Sequence, residues 1–172
     1  MDDQALGTSA DGSNAKRMSI IVTKGTLDWA YPPFILATTA AAMDVKVTMF
    51  FTFYGLPLLL KKLNLEVNTL GNAAMRMPMG GMHMAMPNIM AAIPGATAGI
   101  TAMMKNMMKK KGVATIEELR EAAVDSDVKL IACQMTMDLF EYSRDEMIEG
   151  IELGGAATYM EGALKSDINL FI

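Results

Sequence analysis

Val128-Lys129-Leu130-Ile131-Ala132-Cys133-Gln134-Met135-Thr136-Met137-Asp138-Leu139-Phe140 changes character at its sixth residue, the only cysteine in the 172-residue chain. The first half is an apolar run of strand length. The second half mixes polar and apolar residues as a helix does. A strand that passes directly into a helix puts the junction residue at the helix N-terminus, where unpaired amides and the positive end of the helix dipole converge. A thiol placed there is expected to have a lowered pKa and thiolate character. Thr136, three residues on, is within reach to offer its hydroxyl to the sulfur or to a substrate. One thiolate closes no internal disulfide, but it can hold a persulfide or another sulfur adduct and pass it on. The competing reading is a buried cysteine that acts as a small hydrophobe, as free cysteines often do. Strand-to-helix junctions are where open α/β sheets place their ligands, so both readings stand at this point.

Working outward, strands and helices alternate. Met18 to Thr23 reads as a buried strand stopped by Lys24-Gly25. Thr26 is a plausible N-cap for a helix from Leu27 to Met43, which Pro32 and Pro33 must delay or kink. Val45 to Phe53 is a second strand, nearly continuous in apolar residues and so expected to be buried on both faces. Gly55 ends it, and Leu56 to Lys62 looks like a short helix. Asn64 to Gly81 reads as irregular, and Ala98 to Lys111 as a helix ended by Gly112. Thr115 and Glu118 form a capping box that opens a helix through about Val124, with Ile116 and Leu119 on its apolar face. Val128 to Ala132 then delivers Cys133. Ser143 and Glu146 form a second capping box, ahead of Met147, Ile148 and Ile151. Gly154-Gly155 leads into a helix from about Ala156 to Lys165, and Asp167 to Ile172 closes the chain as a strand. Apolar strands alternating with helices imply a mostly parallel sheet covered on both faces.

Composition removes several function classes. A net charge of −4 gives no basic field for nucleic acid. One cysteine excludes an internal disulfide framework and fits a reducing compartment. Met1 to Arg17 is acidic and Gly/Ser-rich without an apolar core, so it reads as a flexible tail rather than a signal peptide. Residues 18–172 read as one domain with a Met-rich insertion at about 75–97. Met77 to Met104 contains no Asp, Glu, Lys or Arg, a span of transmembrane length. Pro78, Pro87, Pro94, several glycines and His83 read against a membrane-spanning helix, leaving peripheral association or burial against another subunit. No G-x-x-x-x-G-K-[ST], G-x-G-x-x-G or G-x-S-x-G motif occurs, and no cluster has zinc-ligand spacing. No cofactor and no resident metal is expected.

Phe50-Phe51-Thr52-Phe53-Tyr54-Gly55-Leu56, preceded by the Ala-rich helix, resembles the DsrE/DsrF-like sulfurtransferase family. Ala132-Cys133-Gln134-Met135-Thr136-Met137-Asp138 resembles the cysteine motif of its larger, peroxiredoxin-annotated branch. Gly154-Gly155-Ala156-Ala157-Thr158-Tyr159 and the terminal strand look like that branch too. The resemblance covers about Met18 to Ile172. It implies an α/β three-layer sandwich around a mostly parallel sheet, assembled as a homo-oligomer, a trimer or tetramer. It also implies a cytoplasmic sulfur-relay role in which Cys133 carries a persulfide or thiosulfonate. With no second cysteine in the chain, sulfur then leaves to a partner's thiol or an external acceptor.

On this reading Cys133 is the nucleophile and carrier, and Thr136 stabilises its anion. Gln134 and Met135 are candidates for substrate binding. Arg76 and His83, on the long loop, are candidates for the positive charge that a small sulfur anion such as thiosulfate needs. Two other readings come from the residues themselves. One is a noncatalytic oligomeric docking module. The other is a Cu(I) site, because Met75 to Met86 offers six thioethers and one imidazole within twelve residues.

Overall fold

The computed structural model describes residues 15–68 and 95–172, together with the backbone of two strands at 76–79 and 82–85. Strands β1 (Arg17–Val22), β2 (Lys46–Phe51), β5 (Lys129–Cys133), β6 (Ile151–Gly154) and β7 (Ile168–Phe171) form one sheet in the order β6-β5-β2-β1-β7. Every neighbouring pair in it is parallel. Helices α1 (Leu27–Ala41), α2 (Ala96–Lys110), α3 (Ile116–Asp125), α4 (Gln134–Leu139) and α5 (Ala156–Ala163) connect or cover them. The chain is α/β, as its alternating pattern predicts.

Each inner strand splits its residues between two cores, as a period of two requires. Ile20 and Val22 of β1, Met49 and Phe51 of β2, and Leu130 and Ala132 of β5 face a large core with Phe34 of α1, Ile100 and Met104 of α2, and Ile116 of α3. The alternate residues Phe50, Ile131 and Cys133 face a smaller core closed by Tyr159 and Ala163 of α5. α5 lies on the opposite face because β7 sits beside β1, so the chain leaving β6 must cross the whole sheet. These are the three layers, and the second layer's carboxyl edge carries the loops that matter below.

Several details depart from the sequence reading. Thr26 occupies the N-cap position of α1, but its hydroxyl is buried without a hydrogen bond. α1 begins at Leu27 and continues through Pro32 and Pro33, which forgo two intrahelical bonds while Leu27, Ala30, Phe34 and Ala37 stay buried. Burial of that stripe outweighs the lost bonds. Leu56 to Lys62 is not a helix of its own. A 3-10 turn runs from Phe53 to Leu59, because Phe53 takes a left-handed backbone (φ 46°) and Pro57 brings no donor. Asn64 to Gly81 is not wholly irregular, since Arg76–Met79 (β3) pairs antiparallel with Met82–Ala85 (β4). The capping residues Ser143 and Glu146 open only a one-turn 3-10 helix, Arg144–Glu146, and the missed strand β6 follows. Met1 to Asn14, and the side chains of the Met-rich segment through Pro94, lie outside the described residues.

Two glycines lock the loops at the carboxyl edge together. A Cβ on Gly55 would overlap the Val22 carbonyl, and one on Gly25 would overlap the Tyr54 carbonyl. Gly55→Ala should therefore force backbone apart and cost about 3 kcal/mol, read as a lower denaturant midpoint at unchanged slope. Gly162→Ala is the control: a Cβ there meets nothing in α5, and it should be neutral or stabilising.

Candidate functional site

Cys133 is the last residue of β5 and the N-cap of α4. The sequence reading therefore places the junction correctly. β5 lies between β6 and β2, with Phe51 beside Ala132 and Gly154 beside Cys133. Gly154 leaves the flank of the sulfur free of side chain; a Cβ there would come 3.0 Å from Ile131 Cγ2. On the other flank the chain leaves β2 through Thr52 and Phe53. The Thr52 and Thr136 hydroxyls are 3.1 Å apart, and the Phe53 amide donates to Thr136 Oγ1 at 3.1 Å.

The sulfur is set between two opposed influences. Cys133 is buried, 4% exposed, against Phe50, Ile131, Tyr159 and Ala163. That burial pushes the thiol pKa up, because an anion loses its hydration. The Thr136 hydroxyl and amide, the Thr52 hydroxyl and the Met135 amide are placed to donate to the thiolate and favour it. Together they outweigh burial and hold the pKa below the ordinary thiol value. The sulfur makes no completed cap hydrogen bond; the amides of the first turn act on the charge that forms.

The apolar floor is itself pinned. Tyr159 stacks on Phe50 with ring centroids 5.3 Å apart, and its hydroxyl lies 3.1 Å from Ser19 Oγ, which also bonds Asn169. Tyr159→Phe should keep the stack and lose one buried hydrogen bond. The expected cost is about 1 kcal/mol, measured by chemical denaturation.

Of the residues singled out from sequence, Thr136 joins Cys133 directly. Gln134 instead donates its amide to Asp138 Oδ1 at 2.8 Å on the exposed side of α4. Met135 is exposed. Arg76 and His83 fall on β3 and β4, in a register that sets Arg76 opposite Ala85 and Pro78 opposite His83. Their side chains, and the methionine thioethers of the copper reading, lie outside the described residues. Sequence reasoning missed Thr52 and the Phe53 amide. The available signal was a threonine directly after a buried strand, which a parallel sheet delivers to the same edge as Cys133.

No helix among the described residues is long and apolar enough to cross a membrane. The DsrE/DsrF/DrsH-like family model matches residues 14–171. The chain is 59% identical over 157 residues to a protein named sulfur carrier protein DsrE2 from Allochromatium vinosum, covering 91% of this chain and 98% of that one. It is 37% identical over 160 residues to the uncharacterized protein YrkE of Bacillus subtilis, covering 91% and 97%. The crystal structure of the ychN protein from E. coli shares the fold at 12% identity, with a TM-score of 0.53 over 91% of this chain and 99% of that one.

Proposed function

Because this chain belongs to the DsrE/DsrF/DrsH-like family, we propose that it is a sulfur carrier that takes sulfane sulfur onto Cys133 and hands it to a partner's thiol. The observation that carries the reading is the convergence of Thr52, Thr136 and two backbone amides on one buried sulfur at the carboxyl edge of the sheet. The kinship with a named sulfur carrier supports it.

The exchange is redox-neutral. In loading, the Cys133 thiolate attacks the outer sulfur of a donor R–S–SH; the donor S–S bond breaks, Cys133–S–SH forms, and R–S⁻ leaves. In unloading, an acceptor thiolate attacks the outer sulfur and Cys133 departs as its thiolate. The groups that stabilise the attacking anion also stabilise the leaving one, so a lowered pKa serves both directions. A cargo of one sulfur suits a cysteine only 4% exposed better than the bulkier thiosulfonate. A single reduced thiol fits work in the cytoplasm. The exposed side chains Met160, Leu164 and Phe171 support assembly with further copies of the chain.

Intact-mass measurement after incubation with polysulfide tests the proposal. The expected result is a reducible one-sulfur adduct on wild type and none on Cys133→Ala. The burial of Cys133 favours the second reading, a noncatalytic docking module with an inert thiol. A folded wild type that takes no sulfur from polysulfide, tetrathionate or thiosulfate would overturn the carrier reading in favour of the second.

A further inference from the structure

The two segments that carry Thr52 and Cys133 also build an exposed apolar patch. Tyr54 is 71% exposed, Met135 60% and Leu139 59%. Tyr54 stacks on Phe140 with centroids 6.0 Å apart, and Phe140 meets Tyr142 edge-on at 6.4 Å. Scattered exposed hydrophobics are ordinary, but stacked aromatics and aliphatics gathered beside a reactive sulfur mark a contact surface.

The chain that leaves the patch is acidic. Asp138, Glu141, Asp145, Glu146 and Glu149 follow one another with Arg144 as the sole cation among them. Arg144, itself exposed, donates to the Ile148 carbonyl at 2.9 Å. Lys61 lies alongside the run, its amide bonded to the Glu146 carbonyl at 2.8 Å, and leaves the acidic residues in excess. Lys24, on the loop under Tyr54, rests on the Trp29 ring at 3.2 Å. The ion pairs seen among the described residues, Lys16–Asp167, Lys129–Glu152 and Lys165–Glu161, lie elsewhere. Asp138 and Glu146 accept from Gln134 and Ser143, while Glu141, Asp145 and Glu149 form no ion pair among the described residues and face solvent or a partner.

Resting on the carrier reading, we infer that this surface docks the thiol of a basic protein whose cysteine is flanked by apolar and cationic residues. A sulfur dianion approaching the same mouth meets like charge, whereas a basic surface is steered toward it and its apolar residues cover Tyr54 and Phe140. The partner's thiol then reaches the outer sulfur on Cys133, as written above.

The probes are two cysteine peptides of equal length, one lysine-rich and one glutamate-rich, each activated as its thionitrobenzoate disulfide. The Cys133 thiolate attacks the peptide sulfur, a mixed disulfide forms, and thionitrobenzoate leaves as its coloured thiolate. The lysine peptide should react about tenfold faster at low salt, and the ratio should shrink at high salt. Asp145→Lys/Glu149→Lys should shrink the ratio too. Glu121→Lys/Asp125→Lys changes the net charge equally on α3 and should leave it alone. Phe140→Ser should slow the lysine peptide. Equal rates for the two peptides on a wild type that still loads from polysulfide overturn this inference alone. Failure to react with either peptide and with polysulfide overturns the carrier reading beneath it.

Discussion

Thr136→Val should slow alkylation of Cys133 by iodoacetamide about tenfold at neutral pH, because a hydrogen bond to a charged group is worth about 1.5 kcal/mol. The pH profile of the reaction should also move upward. The reason lies in proton accounting. Thr136 Oγ1 accepts from the Phe53 amide, the Thr52 and Thr136 hydroxyls lie 3.1 Å apart, and both are placed to donate to the sulfur. A protonated thiol brings a third proton, so three contacts are served by three donors. When the thiol ionises, only the two hydroxyl protons remain, and both turn to the sulfur. Valine removes one of them and leaves the buried floor of Phe50 and Tyr159 to oppose the charge. Thr136→Ser restores the hydroxyl and should recover most of the rate; recovery separates loss of the donor from loss of packing. A wild-type rate for Thr136→Val would remove Thr136 from the site. The same balance makes folding stability depend on pH. The folded thiol titrates below its unfolded value. Its contribution is therefore fully present above the unfolded pKa and is lost as pH falls through the folded one.

The part of this site that sequence reveals is the part built locally. Cys133 is legible because the chain changes period there, and Thr136 because it is three residues away on the same first turn. The Thr115–Glu118 box is legible for the same reason, and both of its bonds form, at 2.7 and 3.2 Å. Thr52 is not, because it precedes Cys133 by some eighty positions and meets it only through the strand order β5-β2. Period and composition give strands without their order. The left-handed backbone of Phe53 is equally hidden, since aromatic residues ordinarily avoid it. That conformation turns the Phe53 amide onto Thr136, so a strained residue serves the site. β6 escaped because it is only four residues long and begins soon after a capping signal that suggested a helix.

Arg120 shows the same limit at larger energetic stake. Nothing in the sequence marks it out on the capped helix, yet it is 8% exposed. Its Nη1 donates to the Leu58 carbonyl at 2.9 Å and to the Leu60 carbonyl at 2.7 Å. Those carbonyls end the 3-10 turn that begins at Phe53. Burial depresses its pKa, with nearby Glu117 acting against the shift. Arg120→Met keeps much of the packing volume but strands two acceptors, and should cost about 3 kcal/mol. Arg120→Lys should be nearly as costly, since the shorter ammonium does not reproduce the planar donor group. The turn ends where Arg120 holds it and starts at the Phe53 amide that fixes Thr136. Loosening its end should therefore also lower the alkylation rate of Cys133 in the fraction that remains folded. Denaturant unfolding followed by alkylation kinetics on the same sample reads both effects. A stable Arg120→Met protein with unchanged Cys133 kinetics would show that α3 does not support the site. A loss in both would show that the thiolate's hydrogen bonds depend on a buried guanidinium on the opposite side of the turn.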